Sequence, residues 1–589
     1  MMGGSGLSED RLVPSPAFRC PMLFSASWWF VIGMLLHTAS TLLVPPAFVQ
    51  ERDDAPATFI NPIAEGADPW VIANPLAKTA GKDQPAHYGH NFYWCLSDAN
   101  RSIAIYTGDR LTGLGKKHVV WRAPRRGPYS REIWAPELHY LQGHWYVYVA
   151  ASDGDNANHL AYVLKSETDD VLGPYEVHGP LATGDGADGK TPNVWAIDMT
   201  VLQHKGKLYA IWSGWDAPGT DQQYLYIAPM ASPTELAGPR VLLCDNDDYL
   251  WERLEPSEEH RGLNEGPEVF QANGRTFLFY SCGASWLPTY KLGRLELVGE
   301  DPLDPASWKK SSTPAFVSSD SVYGVGHSCF VPSPDGQQWW HVFHAKRDRQ
   351  PGWRRAIYVQ PMSLDADGVP QLGQPQAPNQ PLPLPSGEPA VGKDVPKSLQ
   401  DGGEWKPMQE GAAYDYYGHH QRETIADAGT DTATFRIGLR PNEPINDYSS
   451  GEKVVFADRI PAEFAAQVSI DFQGVSEARD AGLLFACQQP SVGYDAEQAY
   501  FAGVIPSAGR VILGEMDGQH WKELARADVQ VDVDQPVKLQ VEVSADGIKI
   551  SCNGQLVITY QEADLPSGRL GVRVVDTDAV FRDLVVRGR

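Results

Sequence analysis

Residues 133–152 read IWAPELHYLQGHWYVYVAAS, and residues 195–215 read WAIDMTVLQHKGKLYAIWSGW. Each stretch is an apolar strand carrying a polar residue, then a turn with a glycine, then a second strand dense in aromatics. The same phrase recurs as NEGPEVFQANGRTFLFYS over 264–281 and as GVGHSCFVPSPDGQQWWHVFHA over 324–345. A fifth copy starts at ADPWVI and reaches NFYWCLS only after an insertion, NPLAKTAGKDQPAHYG. The aromatic strands centre near Tyr93, Tyr146, Tyr209, Phe277 and Trp340, at spacings of 53, 63, 68 and 63 residues. Further strands such as LAYVLKS, YLYIAPM, YKLGRLEL and AIYVQPM follow them. A unit of about four strands repeated five times predicts a five-bladed β-propeller over residues 58–375.

Working outward, residues 376–405 are rich in Pro, Gln and Gly, which predicts a linker or a strap lying on the propeller. Alternation returns over 406–589 in nine short segments, among them GLLFAC, VKLQVEVS, IKISCNG and LGVRVV, with DG and NG turns. A β-sandwich is the expected fold there, so the whole chain is all-β: a five-bladed β-propeller followed by a β-sandwich. On the amino-terminal side, WWFVIGMLL at 28–36 follows Arg11 and Arg19 and precedes a small-residue stretch ending at Ala47. Nine apolar residues fit a secretory signal better than a spanning helix, which needs about 20. Residues 1–47 are therefore a signal peptide or an N-terminal anchor, and the expected location is secreted, periplasmic or cell-surface.

The chain has 589 residues and a formal net charge of −25, from 49 Lys and Arg against 74 Asp and Glu. Phosphate recognition needs clustered basic residues, so nucleic acid is excluded as a partner. A neutral ligand such as a polysaccharide is compatible with this charge, and the 18 Trp, 24 Tyr and 19 Phe suit sugar rings as well as cores. Cys20 lies in the leader. Cys95, Cys244, Cys282, Cys329, Cys487 and Cys552 are too few for a disulfide framework and contain no CxxC pair.

The first strand of each propeller blade lines the central channel. Asp198 precedes Tyr209 by 11 residues, Glu265 precedes Phe277 by 12 and His327 precedes Trp340 by 13, while Asp68 precedes Tyr93 by 25 because of the insertion. Taken alone, Asp68 in ADPW is ordinary turn chemistry, and Glu265 an ordinary strand-entry residue. Asp198, flanked by apolar neighbours, needs a partner or a wet cavity. Together at a repeated phase they place three carboxylates on one channel. Two carboxyls flanking a glycosidic bond can hydrolyse it, and a third raises the acid's pKa by like-charge repulsion. Trp70, Trp134, Trp195 and Trp215 are candidates for a sugar platform, and Arg354 or Arg355 for a guanidinium at the channel.

These five motifs, in this order and one per blade, resemble the family 43 glycoside hydrolases over about residues 59–380. The resemblance implies an inverting hydrolase of arabinose- or xylose-containing polymers. Asp68 matches the general base, Glu265 in Glu-Gly-Pro the general acid, and Asp198 the pKa modulator. His327 matches the last-blade Gly-x-Gly-His histidine, the one candidate metal ligand, and Arg355 an arginine near the sugar. The histidine motif departs from the usual Gly-Pro-Gly-His or Gly-Cys-Gly-His, and the acid loop carries a charged insertion, WERLEPSEEHRGLNEGP. QYLYIAPMASP and DPLDPASWKK are similar to the exo-acting α-L-arabinofuranosidase branch, with β-xylosidase and endo-arabinanase as alternatives. The implied partner is a plant-type polysaccharide or oligosaccharide. No cofactor is required, and there is room for a structural calcium or other cation near the propeller axis. A retaining fructan hydrolase is disfavoured by the absence of that group's signatures, and a non-catalytic sugar-binding propeller by the presence of all three carboxylates. Residues 406–589 resemble concanavalin-like, laminin-G-type sandwiches, which leaves carbohydrate binding and a structural buttress both open.

Overall fold

A computed structural model describes residues 57–589 except 80, 82–83, 187–192, 255–260, 379, 391–394, 401–403, 409–413, 419–433, 439–450, 474–479 and 562–564. The leader reading falls outside the described residues. Pro56–Arg589 form one compact unit.

Five antiparallel sheets follow one another along the chain. The first holds Trp70–Ala73, Phe92–Asp98, Ser102–Gly108 and Lys116–Arg122, and the second Arg131–Leu141, His144–Ser152, Leu160–Ser166 and Tyr175–His178. The third is built on Ala196–His204, Lys207–Trp215, Gln223–Ser232 and Val241–Cys244. The fourth holds Asn264–Ala272, Arg275–Cys282, Lys291–Leu297 and Trp308–Lys310. The fifth takes Tyr323–Pro332, Trp339–Lys346 and Arg355–Leu364 from its own stretch of chain, and its outer strand is the distant Ala64–Glu65. The ring is thus closed by pairing Ala64 with Ile357 and Glu65 with Ala356.

Second strands are buried on both faces rather than alternating, because both faces of a blade are covered by its neighbours, and they are mainly apolar apart from His341 and His344 in the fifth blade. Phe92 to Leu96 and Trp145 to Ala151 are all buried. The cores lie between blades. Tyr148 and Val163 pack with Met199 and Trp212, Ile211 and Leu225 with Leu278 and Leu295, and Phe279 and Leu292 with Phe343 and Tyr358. The insertion at 74–89 folds into two 3-10 turns, Ala77–Thr79 and Ala86–Gly89, and His87 ties it to Asp170 of the second blade at 2.7 Å.

The inner strands share a device that the sequence only hinted at. Their pairing slips by a bulge between Trp134 and Glu137, Ile197 and Thr200, Glu265 and Glu268, and Gly326 and Cys329. In each, the first bulged residue is left-handed: Ala135 (φ 44), Asp198 (φ 53), Gly266 (φ 53) and His327 (φ 50). Asp68 (φ 49) holds the equivalent place, two residues before Trp70 pairs with Cys95. A bulge re-aims side chains and sharpens the local twist. The register also refines the phase reading: Asp198, Gly266 and His327 are equivalent, and Glu265 stands one residue earlier.

Beyond the propeller, residues 382–388 lie back over it, while Leu399 packs into the core of the following sandwich. Leu382–Pro383 pair with Thr58–Phe59, and Glu388 accepts the Leu111 N–H at 2.7 Å and pairs with Arg110. Two seven-stranded sheets then face each other across a core that includes Phe464, Leu483, Leu539, Val541 and Phe581. In Val537–Ser544 the residues Val537, Leu539, Val541 and Val543 are buried in clean alternation. Five of these strands escaped the sequence reading. One is Gly451–Ile460, whose Glu452 and Lys453 look like a solvent face but are buried, with Lys453 Nζ 2.9 Å from Glu497. The six described cysteines are all buried free thiols.

The sandwich grips the ring-closing segment. The Gln489 amide accepts the Ile60 N–H and donates to the Ile60 carbonyl, at 2.8 and 2.6 Å. The Ser491 hydroxyl donates to Ile63 O, and Glu65 N–H donates to Val492 O at 2.6 Å. Arg347, itself buried, pairs with Glu65 at 3.2 Å and with Asp495 at 2.5 Å. Burial pushes the Glu65 carboxyl up, and Arg347 pulls it back. Removing one member of a buried ion cluster leaves uncompensated charge. Arg347→Ala is therefore expected to lose about 3–5 kcal/mol of stability in urea unfolding. The deficit should narrow as pH falls, because the buried Glu65 carboxyl, already raised by burial, then binds a proton in the folded state.

Candidate active site

Five first strands converge on the axis, and their bulges bring together the residues singled out by phase. Asp68 is held from three sides: its Oδ1 lies 3.1 Å from Arg355 Nη1, 3.1 Å from His344 Nδ1 and 3.4 Å from His327 Nδ1. His344 Nδ1 is also 3.1 Å from the Asp68 amide nitrogen, so it receives that N–H or donates to the carboxylate according to its tautomer. The Asp68 side chain keeps 25% of its surface exposed, whereas Asp198 and Glu265 are buried. Asp198 Oδ2 accepts the Gly266 N–H at 3.0 Å. Glu265 Oε1 accepts the Tyr290 hydroxyl at 2.8 Å.

Two glycines make this fit. Gly266 is left-handed, and a Cβ there would meet the His327 ring at 3.1 Å. A Cβ on Gly326 would strike the Tyr290 ring at 2.2 Å. The Glu-Gly-Pro and Gly-x-Gly-His motifs thus interlock: one glycine admits the histidine, the other the tyrosine that binds Glu265.

The electrostatics separate the carboxylates into two kinds. Burial is the largest influence on Asp68 and would push it up, but Arg355, His327 and His344 together outweigh it, so its carboxyl is held well below the usual range. Burial drives both imidazoles toward the neutral form, His344 to about 4, so of the three groups that face Asp68 the Arg355 guanidinium is the one lasting positive charge. Glu265 moves the other way. Burial raises it, the Tyr290 hydroxyl pulls it back, Asp68 raises it again, and it is pushed up to about 7. Burial and then the Glu265 and Asp68 charges push Asp198 well above the usual range. Asp198 and Glu265 titrate as a pair that retains a proton near neutrality, beside a carboxylate that does not.

The predicted tryptophans divide. Trp134 stacks on His159 at 3.9 Å, and Trp195 lies parallel to Trp215 at 4.9 Å; together with Ile197, the neighbour of Asp198, they form one cluster on blades two and three. Trp70 is not brought to the carboxylates. Its indole donates to Leu138 O at 2.8 Å and packs on His139, in a small cavity shared with Thr200, Glu268 and Gln271. There Glu137 and Glu268 form a further buried carboxylate pair, both raised well above the usual range by burial first. Arg355 reaches Asp68, while Arg354 is exposed.

His344 and Tyr290 escaped the sequence reading. His344 stood inside the quoted WWHVFHA, among strand residues that look like core, and Tyr290 opened the quoted strand YKLGRLEL, where an aromatic reads as packing. Their rings stack on each other at 5.6 Å, bridging the Asp68 and Glu265 sides of the site. Calcium takes six to eight oxygen ligands. Among the described residues no three His, Cys, Asp or Glu side chains are grouped to hold a metal ion, so His327 and its neighbours do not make a calcium cage by themselves. Titration by carbon NMR of the carboxyl groups should show Glu265 changing near pH 7. Tyr290→Phe should raise that midpoint by removing a donor to the ionised form, and Arg355→Met should raise the midpoint of Asp68.

The sequence matches the model of glycosyl hydrolases family 43 over residues 72–370, half of the chain, a stretch that holds Asp198, Glu265, His327 and Arg355 and begins just after Asp68. An extracellular exo-α-(1→5)-L-arabinofuranosidase of Streptomyces chartreusis is 34% identical over 292 residues, covering 48% of this chain and 84% of that protein. An α-L-arabinofuranosidase 43 of Humicola insolens is 33% identical over 297 residues, covering 48% of this chain and 58% of that protein. Among solved structures, an α-L-arabinofuranosidase from Lactobacillus brevis is 31% identical with a TM-score of 0.47, covering 55% of this chain and 98% of that one. On the family match and the identity to the Streptomyces relative, the chain belongs to glycosyl hydrolase family 43.

Proposed function

We propose that this glycoside hydrolase releases terminal α-L-arabinofuranose from arabinan or arabinose-substituted polysaccharides by a single inverting displacement. The observation that carries the mechanism is the pairing of an ionised Asp68, held by Arg355, with a Glu265 pushed up to about 7. Asp68, partly exposed, is the general base that takes a proton from water as the water attacks the anomeric carbon. Glu265 is the general acid that gives its proton to the leaving oxygen. Asp198 shares and holds that proton and is fixed by the Gly266 N–H. Since Arg355 already neutralises Asp68 in the ground state, the base is ready without a prior proton transfer. The Trp134, Trp195 and Trp215 cluster is assigned to the wall of the sugar site.

The sugar rests on the relatives named as arabinofuranosidases, and secretion on the Streptomyces relative named as extracellular together with the apolar leader. The sandwich is read as a buttress, a role supported by its bonds to Ile60, Ile63 and Glu65.

Sugar release from arabinan and from xylan, with the anomer of the product followed by NMR, tests the proposal. The expected product is arabinose formed with inverted configuration. Glu265→Ala should lose about 10²–10⁴-fold in kcat on sugar leaving groups, and far less on a dinitrophenyl leaving group that needs no proton. In the wild type, kcat/KM should fall as pH rises through about 7, where Glu265 gives up its proton. Xylose as product would overturn the sugar and keep the mechanism, whereas retained configuration would overturn the single displacement.

A further inference from the structure

Two tryptophans that neither the motifs nor the relatives' names point to stand at the rim of the carboxylate site. Trp353 is 55% exposed, in the loop before Arg355 on blade five, and the Arg355 guanidinium lies 5.5 Å from the centre of its ring. Trp286 is half-buried, in the loop after Arg275–Cys282 on blade four, and its ring centre is 5.3 Å from that of Trp353 with the planes inclined by 53°. The two loops are tied together, since the Gly352 N–H donates to Trp286 O at 2.9 Å. The Lys346 ammonium holds the same turn by donating to Gly352 O at 2.5 Å.

What gives the pair its meaning is where each loop leads. The Trp286 loop also carries Ser285 and Tyr290, both hydrogen-bonded to Glu265. The Trp353 loop runs directly into Arg355, which binds Asp68. One tryptophan therefore adjoins the proton-holding carboxyl and the other the ionised one, and the pair spans the gap between them on the outer side. Trp353 is moreover the one tryptophan among the exposed large apolar residues of the described chain.

We propose that Trp286 and Trp353 form an aromatic platform for the sugar ring on the leaving-group side of the scissile bond. The reacting sugar must sit deeper, between Asp68 and Glu265, so a ring carried by the leaving oxygen emerges over this rim. The apolar C–H face of a pentose fits an exposed indole, and such a surface discriminates by presence of a ring rather than by individual hydroxyls. This rests on the reading of Asp68 and Glu265 as base and acid, and it adds a preference for a glycosyl over a simple alkyl leaving group.

The test compares α-1,5-linked arabinotriose with methyl α-L-arabinofuranoside, whose leaving group is methanol. Trp353→Ala and Trp286→Ala should each lower the ratio of kcat/KM for the triose to that for the methyl glycoside about tenfold, mostly through KM, and Trp353→Phe should restore most of the ratio. An unchanged ratio in both alanine variants would overturn the platform and leave the pair as loop packing. A second arm needs no turnover: arabinotriose and β-1,4-linked xylotriose are titrated calorimetrically onto Glu265→Gln with and without Trp353→Ala. About tenfold weaker binding of whichever sugar binds supports the platform, and equal binding overturns it. If the wild type cleaves xylotriose and not arabinotriose, the arabinose reading fails while the calorimetric arm still decides the platform.

Discussion

A strand of two residues closes this protein, and the site depends on it. Ala64 and Glu65 pair with Ile357 and Ala356, which completes the fifth blade with chain from the opposite end of the propeller. Continuing that ladder, the Gly66 N–H donates to Arg355 O at 3.2 Å. Two residues on, Asp68 meets the Arg355 side chain. The hydrogen bonds that close the ring therefore also set the ionised carboxylate against its guanidinium. Closure without a covalent link is entropically exposed, since a short outer strand has few bonds to hold it. The sandwich answers this by gripping the same segment from outside through Gln489, Ser491, Val492 and the buried Arg347 cluster.

Among the described residues the central channel carries five carboxylates, and burial separates them by task. Asp68 is the one that touches a guanidinium and retains solvent exposure, so it stays charged. Asp198 and Glu265 share low-dielectric surroundings with hydrogen-bond donors but no cation in direct contact, so they hold a proton. Glu137 and Glu268 lie in another part of the channel and are raised by burial in the same way, beside Trp70 and His139. Like charges in one cavity cannot all ionise, and Arg355, with His327 and His344 beside it, favours ionisation of Asp68. The charge pattern that suits acid and base chemistry thus follows from burial of all three carboxyls and from the basic side chains that face only Asp68.

Much of the architecture is legible in the sequence. Five repeats of a strand, a glycine turn and an aromatic strand imply a propeller because a blade covered on both faces needs apolar second strands. The polar residues left on the first strands then fall on the axis. Other parts are hidden for definite reasons. His344 sits in a second strand whose neighbours are all core, so its polarity carries no positional signal. Trp70 lies two residues from Asp68, yet its indole packs on His139, with Thr200 and Glu268 in the same cavity, because the left-handed backbone at Asp68 breaks the alternation that would put both side chains on one face. Lys453 and Glu497 look exposed in the sequence because the rule that charges face water has exceptions only where a partner is buried with them.

By itself the sequence determined the all-β class, the five-fold repeat, the sandwich and the candidacy of Asp68, Asp198, Glu265, His327 and Arg355, since these follow from local periodicity, composition and motif. The tertiary structure alone decided that the left-handed bulges align, that Gly266 and Gly326 give way to His327 and Tyr290, and that Ala64–Glu65 complete the fifth blade. It alone decided which carboxylate is ionised. Those are relations between residues far apart in the chain, such as Asp68 and Arg355, 287 positions apart. A pattern of neighbours along the chain does not contain the distance, burial and register on which hydrogen bonds and charge interactions depend.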